Sequence, residues 1–254
     1  MVNGMNFSLL LEAVSAETGD IMNLIPDINK IHTDISQIYS DVEAQLIAYS
    51  TDITKLTPEQ IEQTIKQINR ASLQDEKLKQ YLGDNGYRTV NVGLSGNSLE
   101  LLKKEYVEDA MSTISKDIYE LVQNASTMDK EEYVRRAVGL QYRFIRIHPF
   151  PDSNGRTSRA LLNMITIPKG ILVNFPKDKK HEYNMCSNET HMEMDAKEYL
   201  QAIQESSTEL VNMENETELP VYRFVKEYGI IETQKANQGN NFEQTKENSQ
   251  EMIH

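Results

Sequence analysis

Between His148 and Arg159 the chain gathers a titratable base, a carboxylate, a small-residue turn and two arginines: His148-Pro149-Phe150-Pro151-Asp152-Ser153-Asn154-Gly155-Arg156-Thr157-Ser158-Arg159. Such a set suits gripping a polyphosphate and removing a proton beside it. An imidazole is the side chain best matched to general-base work near neutral pH. Pro149 disfavours helix at His148 and turns the chain outward there. Asp152 offers a hard oxygen, suited to Mg2+ that already carries substrate phosphates. Ser153-Asn154-Gly155 reads as a turn leading into a helix, whose first N–H groups and positive dipole end form an anion site. Arg156 and Arg159 are three apart and share one face of the first turn. Cations at that end oppose the dipole, so the pair makes sense against a strongly anionic ligand. Phe150 does no chemistry and is expected to bury itself and anchor the loop.

These residues need a scaffold, and the surrounding sequence predicts helices. One spans Lys130 to Ile147, with Val134, Ala137, Val138 and Ile145 as its buried stripe and Gln141 on the same stripe. Another runs from Arg156 to about Ile167 and is stopped by Pro168 and Gly170. Thr57-Pro58-Glu59-Gln60 marks a further start, with Thr as cap, Pro in the first position and Gln completing a capping box. Ile61, Ile65 and Ile68 follow on one face. Nearer the N-terminus, Pro26-Asp27 opens a stripe of Ile28, Ile31, Ile35, Ile38, Val42, Leu46 and Tyr49. That repeat spans only about three heptads, which favours a bundle helix over a partner-binding coiled coil. Helices are also expected over Glu100 to Val122, Asp195 to Met213 and Pro220 to Tyr228. Gly83, Gly86, Gly93 and Gly96 bracket Tyr87-Arg88-Thr89-Val90-Asn91-Val92, which reads as a short hairpin or strand-like flap. From about Gln234 to His254 the composition turns to Asn, Gln, Glu and Lys, the signature of a disordered tail.

At 254 residues the chain can bury a proper core. Its net charge of −13 argues against nucleic acid as main partner, because phosphate backbones need clustered Lys and Arg. The single cysteine, Cys186, rules out an internal disulfide framework and a cysteine-based zinc site, and it reads as a free thiol without a role. No apolar run approaches a membrane span. Phe7-Ser8-Leu9-Leu10-Leu11 lacks a preceding basic residue and is followed by Glu12, a poor signal peptide. A reducing cytoplasm and no membrane association are expected, although a specialised secretion system would leave no mark of this kind.

Taken together, the motif resembles the signature of Fic domains (the Fido superfamily), His-x-Phe-x-Asp/Glu-Gly-Asn-Gly-Arg-x-x-Arg. It agrees at His148, Phe150, Asp152, Asn154, Gly155, Arg156 and Arg159, and departs at Ser153, where the signature has Gly. The stretch from Gly86 to Gly93 is similar to the family's flap. The resemblance implies an all-α, Fic-type helical bundle with a short β-hairpin flap near the active site. It divides the chain into an N-terminal helical extension (1–54), a core (55–205) with flap 86–98 and motif 148–159, C-terminal helices (206–233) and a tail (234–254).

Its implied activity is protein nucleotidyl transfer, with AMP passing from Mg-ATP to a Ser, Thr or Tyr hydroxyl of a target protein. His148 would act as general base and Asp152 would hold Mg2+. Ser153, Asn154 and Gly155 would cradle the anion through the backbone, and Arg156 and Arg159 would bind the β- and γ-phosphates. The flap residues Tyr87, Arg88, Val90 and Val92 would receive the target by strand addition. Ser153 is expected to bear strain if its φ is positive and to intrude where phosphates approach. Small residues at this position resemble relatives that transfer UMP, phosphocholine or phosphate. A catalytically idle helical interaction module is the alternative from another class, and retention of His148 and both arginines weighs against it. No intact version of the family's inhibitory Ser/Thr-x-x-x-Glu-Gly/Asn motif is found: Ser8…Glu12 is followed by Ala13, and Ser72…Glu76 by Lys77. Either a separate protein carries the inhibitor or the enzyme is constitutively competent.

Overall fold

Helix-forming periodicity dominates this chain, and the computed structural model is correspondingly helical. It describes residues 42–73, 75–93, 101–193, 196–205, 207–216 and 219–232. The expected tail from 234 onward, and the expected N-terminal helix as far as residue 41, lie outside the described residues.

The first described helix, α1, covers 42–50. It buries Ala44, Gln45, Ala48 and Tyr49 while Leu46 is 45% exposed, so the buried face is rotated from the predicted stripe. The reason is polar. Asn163 donates to Gln45 Oε1 at 3.3 Å and to Tyr49 Oη at 3.5 Å, which turns those two residues inward.

Four helices then form the bundle: α2 (Pro58–Ser72), α3 (Val107–Gln123), α4 (Lys130–Ile147) and α5 (Asn154–Thr166). Helix α2 packs on α3, α3 on α4, α4 on α5 and α5 back on α2, which closes the ring. The predicted capping box starts α2: Gln60 N donates to Thr57 Oγ1 at 3.3 Å, and Thr57 N donates to Gln60 Oε1 at 2.9 Å. Ile61, Ile65 and Ile68 of α2 meet Met111, Ile114 and Ile118 of α3 and Leu161, Leu162 and Ile165 of α5 in one buried core. Asp129 caps α4 by accepting from Glu132 N at 2.8 Å. Helix α3 begins later than predicted. Residues 101–103 have no regular structure and a 3-10 turn, Lys104–Tyr106, precedes it.

Helix α4 is central; Gln141 is buried on the predicted stripe, and burial extends well beyond that stripe to Tyr133, Tyr142, Arg143, Phe144 and Arg146. A second layer accounts for this. It comprises α6 (Lys180–Glu193), α7 (Ala196–Gln204), α8 (Thr208–Glu216) and α9 (Pro220–Phe224), and α7, α8 and α9 all contact α4. Arg143, 2% exposed, donates to Glu214 Oε1 (3.0 Å) and Oε2 (2.6 Å) and also pairs with Asp117. Tyr199 Oη donates to Glu214 Oε1 at 3.1 Å. This ionic knot pins α8 and α7 to the bundle.

Three further expectations differ from what is observed. The predicted helix over Asp195–Met213 is broken into α7 and α8, because Ser207 begins a new helix, its Oγ accepting from Glu209 N at 3.2 Å. The predicted helix from Pro220 continues past α9 as a π-helical turn (Val225–Gly229) and then enters a strand, β2 (Ile230–Glu232). This strand pairs antiparallel with β1 (Ile171–Val173), so Val173 faces Ile230 in a small sheet that periodicity had not announced. The predicted hairpin over 86–98 is reduced, among the described residues, to one antiparallel bridge between Leu82 and Arg88; 94–100 lie outside them.

Candidate active site

The motif occupies the connection between α4 and α5. His148 closes α4 in the left-handed conformation (φ 48°, ψ 59°). That region costs a non-glycine residue on the order of 1 kcal/mol, and several contacts hold it. His148 N donates to Phe144 O at 2.9 Å, and the imidazole Nδ1 lies 3.2 Å from Ile145 O. A carbonyl can only accept, so Nδ1 carries the proton and Nε2 keeps its lone pair. Arg88 completes the cap. Its Nε donates to His148 O at 2.7 Å and its Nη2 to Ile147 O at 3.3 Å, with further bonds to Leu102 O and to Val90 O (2.8 Å). Arg88 N also donates to Pro149 O at 2.9 Å. The last carbonyls of α4, which no helical N–H can satisfy, thus meet a buried cation.

Phe150 is buried, with its ring centroid 5.9 Å from that of Tyr87 and 6.2 Å from that of Phe144. Asn154 folds its amide across the loop: Phe150 N donates to Oδ1 at 3.1 Å and Nδ2 donates to Phe150 O at 2.8 Å. The side chain of Asn154 is therefore a staple, which leaves any anion contact to its backbone. Asn69 of α2 holds the loop from the other side, donating to Asp152 O at 3.0 Å and to Thr157 Oγ1 at 3.1 Å. These bonds tie the loop and the first turn of α5 to α2.

Ser153 has φ 64°, so the conditional strain is real. The expected intrusion is not. Ser153 is 5% exposed and its Oγ donates to Ser72 O at 2.9 Å, toward the end of α2 rather than into the anion site. Arg156 Nη2 donates to Ser153 Oγ at 2.5 Å and lies 3.7 Å from the Asp152 carboxylate, which is 48% exposed. Gly155 is exposed, and a Cβ there would stand 3.6 Å from Arg159 Nη1. Both arginines thus line the start of α5 beside bare backbone.

Burial is the main influence on His148 and lowers its pKa to about 4. The hydrogen bond to Ile145 acts against this, the Arg88 charge adds to it, and Asp152 opposes it. At neutral pH the ring is uncharged, with Nε2 able to take a proton. A neutral base, a half-exposed carboxylate and a helix start flanked by two arginines therefore stand together, an arrangement chemically suited to activating a hydroxyl beside a polyphosphate.

A sequence model of the Fic/DOC family matches residues 55–166, from just before α2 to the end of α5. Residues 55–166 are a Fic domain. The chain is 36% identical over 80 residues to the protein adenylyltransferase fic-1 of Caenorhabditis elegans. That alignment covers 31% of this chain and 15% of the relative. The protein adenylyltransferase Fic of Culex quinquefasciatus is 38% identical over 60 residues, 22% of this chain and 12% of the relative. The chain thus matches only a small part of the length of these curated relatives. The fold is similar to that of a Fic domain containing signaling protein from Bacteroides thetaiotaomicron, with a TM-score of 0.51 and 18% identity over 89% of this chain and 75% of that one.

Within the Fic domain, His148, Asp152, Ser153, Asn154, Gly155, Arg156 and Arg159 are gathered at one loop and helix start. The flap residues divide differently. Tyr87 and Arg88 are 2% and 3% exposed and face the core and the motif, so their side chains build the scaffold; Val90 and Val92 are half-buried. Asn69 and the capping role of Arg88 were missed. A polar residue on the stripe of Ile61, Ile65 and Ile68 was the available signal for Asn69. Of the two inhibitory candidates, Ser8 and Glu12 lie outside the described residues, while Glu76 bonds Lys79 at 2.6 Å on the surface. No described helix is long and apolar enough to cross a membrane, and Cys186 is half-buried and forms no disulfide.

Proposed function

We propose that this protein is an adenylyltransferase that moves AMP from Mg-ATP to a Ser, Thr or Tyr hydroxyl of a target protein. The observation that carries the reading is a neutral His148, with Nδ1 committed to Ile145 O, beside a helix start bearing two arginines. His148 Nε2 accepts the hydroxyl proton as the oxygen bonds the α-phosphorus. The bond from that phosphorus to the β-phosphate bridging oxygen breaks, and pyrophosphate leaves. Arg156 and Arg159 hold the β- and γ-phosphates, and the backbone of 153–155 faces the α-phosphate oxygens.

Asp152 fits a Mg2+ ion that arrives with its nucleotide. Its carboxylate is half exposed, and no group of three acidic, His or Cys residues occurs among the described residues, so a protein-only cage is not what this site offers. Bound there, the ion would neutralise phosphate charge. The target would lie along the edge beginning at Thr89, gripped through main-chain hydrogen bonds. An inhibitor supplied by a separate protein would act on this site, and the acidic chain makes neither nucleic acid nor membrane a partner in this reading.

The experiment incubates the protein with Mg2+, cell extract and a donor panel (ATP, UTP, GTP, CTP, CDP-choline), with intact and peptide mass spectrometry of the products. An AMP adduct absent with His148→Ala is expected. An adduct from another donor alone would replace ATP in the reading, and no His148-dependent adduct on any protein, including this one, would sink it.

A further inference from the structure

We infer that Ser153 is a positioning residue for Arg156, its hydroxyl orienting the guanidinium that meets the donor's phosphates. The inference rests on the transferase reading of the same site and goes beyond it in assigning a task to the one residue that departs from the family signature.

Ser153 Oγ lies between two groups that each allow one role. Ser72 O, 2.9 Å away, can only accept, and it is a terminal carbonyl of α2 with no partner inside its own helix. Arg156 Nη2, 2.5 Å away, can only donate. The hydroxyl satisfies both only by giving its proton to Ser72 O and its lone pair to Arg156. This polarity is fixed, and at 5% exposure water does not compete for it. The planar fork of Arg156 is thereby set before any ligand arrives, with Asp152 Oδ2 3.7 Å from the same nitrogen. Glycine at this position would relax φ 64° but would remove the oxygen. A strained serine is retained where its side chain has two partners.

Backbone and hydroxyl effects separate in two variants. Ser153→Ala keeps the strained φ and loses the oxygen, whereas Ser153→Gly loses both. If the hydroxyl positions Arg156, each weakens Mg-ATP binding by about tenfold, the loss expected for one charge-assisted hydrogen bond. Their thermal stabilities should differ, Ser153→Gly being the more stable of the two. In a double-variant cycle read by calorimetry, Ser153→Ala should add nothing once Arg156→Ala is present. Wild-type affinity in Ser153→Ala, or losses that multiply in the double variant, would overturn the inference. NMR of the arginine side chains keeps it separate from the transferase reading. Resolved Arg156 Nη signals in wild type that collapse to an averaged signal in both serine variants support the hold, even if ATP does not bind and the donor assignment fails. Identical Arg156 signals in all three proteins would refute it.

Discussion

Lowering the pH should destabilise this protein through His148 by an amount that one substitution reveals. The imidazole titrates at about 4 in the fold against an ordinary 6.5, because burial disfavours its charged form. The unfolded chain therefore binds the proton more readily, and stability falls as pH drops below 6.5 and levels off below 4. Linkage gives a loss of about 2 kcal/mol by pH 5 and about 3 kcal/mol by pH 4. His148→Asn is the comparison, because Asn tolerates the left-handed backbone and its Nδ2 can donate to Ile145 O, yet it cannot titrate. Urea unfolding of both proteins from pH 8 to pH 4, followed by far-UV circular dichroism, cancels every other titrating group in the difference. Above pH 7 that difference should be constant. Toward pH 4 it should move against the wild type by the stated amount. A pH-independent difference would mean that the imidazole titrates normally in the fold, and the neutral buried base would be lost with it.

Three more perturbations test the scaffold. Arg143→Ala strands the buried Glu214 carboxylate and should cost about 3–5 kcal/mol in urea unfolding, whereas Arg143→Met with Glu214→Leu should recover most of that loss. Phe150→Ala opens a cavity against Tyr87 and Phe144 and should lower stability by about 3–5 kcal/mol, with donor affinity falling as the loop loosens. Thr57→Ala breaks the capping box of α2 and should cost about 1 kcal/mol without altering donor affinity, measured by denaturation and calorimetry.

How much could be read from sequence follows the range over which each signal acts. The capping box at Thr57, the stripe of Ile61, Ile65 and Ile68 and the run from His148 to Arg159 are local patterns, and the fold keeps all of them. Helix α6 was not anticipated because Lys180 to Glu193 has no continuous apolar stripe; among its described side chains, Tyr183 and Cys186 are partly buried and packed on the core. Pairing of Ile171–Val173 with Ile230–Glu232 depends on chain that returns from the far side of four helices, so periodicity could not find it. Asn69 is legible as a polar residue on an apolar face, but its partners, Asp152 O and Thr157, are 83 and 88 residues away. Arg88 sits in an alternating stretch that promises a strand, and only the fold reveals that it turns inward to the end of α4.

That inward arginine ties two parts that modular thinking would keep apart. Through Arg88, the predicted flap segment contributes both the cap of α4 and a positive charge that helps keep His148 unprotonated. Flap and base are therefore not exchangeable units. A segment grafted from elsewhere would need a cation at position 88, or it would leave a histidine with altered basicity at the end of a fraying helix.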